Sequence, residues 1–78
     1  MNMFLEVLKA EYLDNYRIKL TFNDGVTKTV DLQNELDGSV YKPLRQLDYF
    51  KNFQIQYNTV EWDNGADYAP EYLYSIGV

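Results

Sequence analysis

The sequence predicts an α+β domain: an antiparallel β-meander plus a β-hairpin, joined by a short helical crossover, with a C-terminal helix packed on the sheet. Three observations carry this. Tyr16, Ile18, Leu20 and Phe22 alternate with Arg17, Lys19 and Thr21, the pattern of a half-buried antiparallel strand. Asn23-Asp24-Gly25 follows at once and is a strong hairpin signal. Pro43 and Pro70 each precede apolar residues spaced at about one helical turn, and proline suits the first turn of a helix.

Taken in order, residues 4–13 alternate loosely and read as a first strand that ends near Asp14-Asn15. The second strand is the Tyr16–Phe22 run. Its register with the third follows from the faces that apolar residues must share. A two-residue Asp24-Gly25 loop would pair Phe22 with Thr27 and put Val26 and Val30 on the face opposite Phe22. A three-residue loop pairs Phe22 with Val26, Leu20 with Lys28 and Ile18 with Val30. That keeps the apolar residues together, with Gly25 supplying the left-handed position of a bulged turn, so it is the expected form.

Asp31–Leu36 is too short to predict a helix, and Asp37-Gly38 closes it. Val40-Tyr41-Lys42 leads to the helix opened by Pro43, whose Leu44, Leu47 and Phe50 are expected to point inward. Phe53, Ile55 and Tyr57 alternate again as a strand. A turn at Asn58-Thr59 would set Tyr57 opposite Val60 and Ile55 opposite Trp62; threonine is poor at positive φ, so a longer loop is the alternative. The last helix starts at Pro70, buries Leu73 and Ile76, and has Gly77 as its C-cap.

The length of 78 residues suits one small domain, residues 1–78. A domain this size buries only about 60% of its unfolded surface, and the eight Tyr, four Phe and single Trp compensate with large rings. Tyrosine suits a half-buried pleated surface, and it is also enriched at interface cores. With no cysteine and no histidine, a disulfide framework, a Cys/His zinc site, a Ser–His or Cys–His nucleophile and a histidine switch are all excluded. No cofactor is expected. Neither a secretory leader nor an apolar run of roughly 20 residues is visible, so no membrane partner is expected and the cytoplasm is the default location.

Net charge is −5, and residues 53–78 hold Glu61, Asp63, Asp67 and Glu71 with no Lys or Arg. Duplex binding needs clustered cations, so no direct nucleic-acid contact is expected. A basic protein partner would suit the acidic end. A homodimer is compatible with the sequence, though nothing in it argues for one.

The most distinctive segment is Val60-Glu61-Trp62-Asp63-Asn64-Gly65-Ala66-Asp67, where a short strand runs through the only tryptophan into an acidic, glycine-containing loop. Trp62, Asp63, Asn64 and Asp67 are the candidate partner-binding residues. The structural reading is preferred: Asn64-Gly65 turns the chain, the Asp side chains cap loop amides or the final helix, and Trp62 belongs to the core. Calcium would find oxygens at Asp63, Asn64 and Asp67, but the roughly twelve-residue loop with a late bidentate Glu is missing, so no metal site is assigned. A carboxylate-pair enzyme could use Asp63 with Asp67, or Glu61 with Asp63. Glu61 and Asp63 share the solvent face of a strand, and a catalytic acid needs a cleft. No catalytic residue is assigned.

The ordered set Tyr16-x-Ile18-x-Leu20-x-Phe22-x-Asp24-Gly25, Val30-Asp31-Leu32, Tyr41-x-Pro43-Leu44, Phe50, Val60-x-Trp62-x-Asn64-Gly65-Ala66-Asp67, Pro70 and Leu73 resembles the bacterial "domain of unknown function 2442" family. The resemblance spans roughly residues 5–76. Ala69 stands where the family usually has an acidic residue before the helix proline, which weakens the helix N-cap; Tyr68 stands where an aliphatic residue is commoner. The resemblance implies a compact α+β domain without established activity. Relatives stand alone, join a helix-turn-helix DNA reader, or look like members of toxin–antitoxin-type operons. The expected function is thus a non-catalytic binding module, the partner of a small protein in an antitoxin-like or regulatory role. The alternatives are a detached sensory domain of a helix-turn-helix regulator and a small carboxylate-dependent enzyme.

Overall fold

The computed structural model describes residues 4–78. Strands β1 (Val7–Asp14), β2 (Arg17–Phe22) and β3 (Thr27–Asp31) form an antiparallel meander in that order. A 3₁₀ turn (Lys42–Arg45) and a short helix α1 (Leu47–Phe50) cross to a separate hairpin of β4 (Gln54–Gln56) and β5 (Thr59–Glu61), and helix α2 (Pro70–Ile76) closes the chain. This is the α+β architecture that the alternation and the prolines predict.

The β2–β3 register is the expected one: Leu20 pairs with Lys28 and Ile18 with Val30, and the Phe22 N–H donates to the Val26 carbonyl at 2.9 Å. Gly25 has φ +88°, the left-handed position that glycine takes without steric cost. β1 is less regular. Register shifts fall between Val7 and Lys9 and between Tyr12 and Asp14, so Leu8 and Leu13 are the extra residues of two bulges and stay exposed. The bulges explain why alternation is loose over 4–13: they let Val7 face the core opposite Phe22 while Ala10 and Tyr12 oppose Leu20 and Ile18.

Two expectations need correction. The β4–β5 turn is Tyr57-Asn58, with φ +51° and +72°, and pairs Gln56 with Thr59 and Ile55 with Val60. Positive φ is uncommon for tyrosine but rarer still for β-branched threonine, and here Tyr57 takes it while Thr59 stays in the strand. The Pro43 helix breaks at Gln46, whose ψ of 117° is extended. The break resets the helical phase: Leu44 and Phe50 are buried while Leu47 is 39% exposed. Gly77 caps α2 through its N–H to the Leu73 carbonyl, but at φ −73° rather than left-handed. Its lack of a side chain serves close packing, because a Cβ there would lie 2.8 Å from the Lys28 Cβ. The chain then adds to the meander: Val78 and Thr29 exchange backbone hydrogen bonds of 3.0 and 2.9 Å.

The core lies between the meander and the crossover, hairpin and α2. Ile18, Leu20, Phe22, Val30, Phe50 and Trp62 are among its fully buried members.

Candidate functional site

The Trp62–Asp67 loop is a second copy of the β2–β3 turn in hydrogen-bonding terms. In the first, the Phe22 N–H donates to Val26 O, the Gly25 N–H to Phe22 O, and the Val26 N–H to Asp24 Oδ1. In the second, the Trp62 N–H donates to Ala66 O, the Gly65 N–H to Trp62 O, and the Ala66 N–H to Asn64 Oδ1. Gly25 and Gly65 have nearly the same φ, +88° and +86°. An aromatic residue, two Asx residues, a glycine and a small apolar residue encode one three-residue turn twice. Asn64 also donates from Nδ2 to the Val40 carbonyl at 2.8 Å, which ties the loop to the approach of the 3₁₀ turn. An isolated bridge of Glu61 with Asp67 extends the hairpin past the loop.

This geometry divides the candidate residues. Trp62 is 1% exposed, its indole N–H donates to the Phe50 carbonyl at 2.8 Å, and its ring packs beside Phe50, Phe53 and Tyr68. As a partner contact Trp62 is therefore corrected: it supports the loop from beneath and offers no surface. Asn64 is committed to the turn. The carboxylates of Asp63 and Asp67 are exposed and take no hydrogen bond or ion pair among the described residues. The expectation that Asp side chains cap this loop is corrected too, since Asn64 alone makes the Asx turn. Glu61 is half-buried and Asp63 exposed.

Beside the loop stands a tyrosine stack that the sequence reading did not single out. Tyr41 and Tyr68 stack at 4.9 Å between centroids, and Tyr68 and Tyr72 at 6.1 Å. Their hydroxyls are all used: Tyr41 donates to the Asp67 carbonyl at 2.8 Å, Tyr68 to the Glu35 carbonyl at 2.8 Å, and Tyr72 to the Glu35 carboxylate. Tyr72 is 40% exposed and forms the outer leaf. Burial, then the neighbouring Tyr41 and Glu35, pushes the Tyr68 phenol well above the usual tyrosine range. The hydrogen bond to Glu35 raises Tyr72, and burial followed by the Asp67 charge raises Tyr41. The stack is thus neutral at ordinary pH. Its signal in the sequence was the four-residue spacing of Tyr68 and Tyr72. Tyr41 comes from a segment far away in the chain, so no local pattern joins it to Tyr68 and Tyr72.

Two shallow surface depressions lie elsewhere, one of about 530 Å³ between Lys9, Glu11, Lys19 and Thr21, the other of about 400 Å³ beside Tyr16, Asp37 and Arg45. Neither holds Asp63 or Asp67.

The family model for DUF2442, described as a protein of unknown function, matches residues 7–77. The chain belongs to the DUF2442 family. The match takes in both turns, the tyrosine stack and α2, so the candidate face lies within the family's domain. No curated protein and no solved structure matches the chain. Among the described residues, no helix is long and apolar enough to cross a membrane.

Proposed function

We propose that this chain is a non-catalytic binding module of the cytoplasm, the partner of a small protein in an antitoxin-like or regulatory role, which docks on the face carrying Asp63, Asp67 and Tyr72. One observation carries the reading. Among the described residues the carboxylates of Asp63 and Asp67 have no partner, and Asp67 adjoins, through the Tyr41 hydroxyl on its carbonyl, a tyrosine stack whose outer ring is open. Rigid aromatic rings are favoured at interface cores, and acidic groups around them attract a basic partner and set its orientation. Stacked tyrosine faces also accept Lys or Arg by cation–π contact. The non-catalytic part rests on environment: a working acid sits in a cleft, whereas Asp63 and Asp67 stand in the open.

The experiment is affinity capture from the native host with quantitative mass spectrometry, comparing the wild-type chain with the double variant Asp63→Asn/Asp67→Asn. The reading expects one small basic protein to be enriched by the wild type and at least tenfold depleted with the variant, at unchanged melting temperature. Equal enrichment by both chains would remove this face as the docking site.

A further inference from the structure

The outer edge of β1 carries unpaired backbone groups and a charge pattern that complements its own reverse. The direction of each group follows from the hydrogen bonds around it. The Phe22 N–H donates to Val26 O and the Leu32 N–H to Tyr16 O, so even-numbered residues of β2 face β3. Odd-numbered ones face β1, in keeping with the Asn23 N–H donating to Glu6 O. Lys9 and Glu11, opposite Thr21 and Lys19, therefore turn their backbone groups toward β2. Ala10 and Tyr12 turn theirs outward. Val7 spends its outward N–H on the Asn58 carbonyl, but among the described residues no backbone group meets the outward groups of Ala10 and Tyr12. An open edge of this kind is a template for another strand.

We propose that a second copy of this chain pairs there, β1 against β1 and antiparallel, about a two-fold axis through Ala10. Ala10 then exchanges both backbone hydrogen bonds with its counterpart, as the self-complementary contact of a two-fold dimer requires. The same register sets Lys9 opposite the partner's Glu11, and Glu11 opposite the partner's Lys9, on the solvent face. Moving the axis to Glu11 would place like charges directly opposite each other, which is unfavourable, so charge selects the Ala10 register. Among the described residues neither Lys9 nor Glu11 forms an ion pair; the three that occur lie elsewhere. Leu8 and Leu13, 55% and 38% exposed, flank the paired stretch and give it apolar ends. In this register Tyr12 falls opposite the partner's Leu8, a bulge residue, so the regular ladder is confined to Lys9–Glu11 and the dimer is weak and reversible.

Sedimentation velocity on the full chain over a concentration series reaching the millimolar range tests this. The wild type should dimerise with concentration. Lys9→Glu and Glu11→Lys each place like charges opposite one another and should weaken dimerisation about tenfold or more. Mixed in equal amounts, the two variants should associate with each other, because one presents two acidic and the other two basic side chains in matching positions. Ala10→Pro removes an outward N–H that the sheet does not use, so it should fold and remain monomeric; if it fails to fold, the exposed charge variants decide. A wild type monomeric throughout, dimerisation unaffected by either charge reversal, or variants that do not associate with each other would each overturn the proposal.

Discussion

Asn64→Ala is the sharpest test of how the Trp62–Asp67 loop is built. The substitution removes two hydrogen bonds at once, the Ala66 N–H to Oδ1 at 3.1 Å and the Nδ2 donation to Val40 at 2.8 Å. Each is worth about 0.5–1.5 kcal/mol net, and the exposed setting pulls the pair toward the lower half, about 1–2 kcal/mol. In a domain of this size such a loss lowers the melting temperature by roughly 4–16 °C. The comparison is Asp63→Ala, one residue away and without a side-chain partner, which should stay within about 0.5 kcal/mol of wild type. Thermal unfolding followed by circular dichroism reads both. If the two variants melt together, Asn64 does not hold the turn and the division of the loop into framework and free carboxylates is wrong.

Gly25→Ala and Gly65→Ala meet open space but force alanine to a positive φ, so each should cost about 1–2 kcal/mol rather than stabilise, as denaturant melts would show. Gly77→Ala should also destabilise, there by collision with Lys28 at an ordinary φ; a stabilised variant would disprove the close-packing role. The phenol of Tyr68 is raised in the fold above its ordinary value of 10.0, so its contribution to stability is complete below pH 10 and is lost as pH rises from there toward the folded value. Tyr68→Phe should accordingly flatten the alkaline fall of stability, and an unchanged slope would contradict that. The isolated chain should not bind duplex DNA at submicromolar concentration near physiological salt, where non-specific binding is already only about 10⁻⁴–10⁻⁶ M; a fluorescence-anisotropy titration checks it.

Much of the fold is legible because local rules and burial agree. At β2–β3 the alternation of Ile18, Leu20 and Phe22 and the Asn23-Asp24-Gly25 turn demand the same register, and the structure has it. The failures occur where one residue overrides a local rule. Tyr57 accepts positive φ, shifting the β4–β5 turn by one position, so that Ile55 pairs with Val60 instead of Trp62. Gln46 goes extended, and Leu47 leaves the core with it. Two bulges blur β1. At the candidate face, Asn64 and Gly65 were readable as a turn. Which carboxylates remain free depended on side-chain bonds that no spacing reveals. The tyrosine stack joins residues as distant as Tyr41 and Tyr72, so only the folded chain assembles it.

The docking claim is tested most directly by amide hydrogen exchange on the chain with and without the partner that capture identifies. The account predicts protection on binding concentrated in residues 63–72 and around Tyr41, with the β1 edge unchanged. Protection confined to the β1 edge or the outer face of the meander, leaving 63–72 as exchangeable as in the free chain, would contradict it.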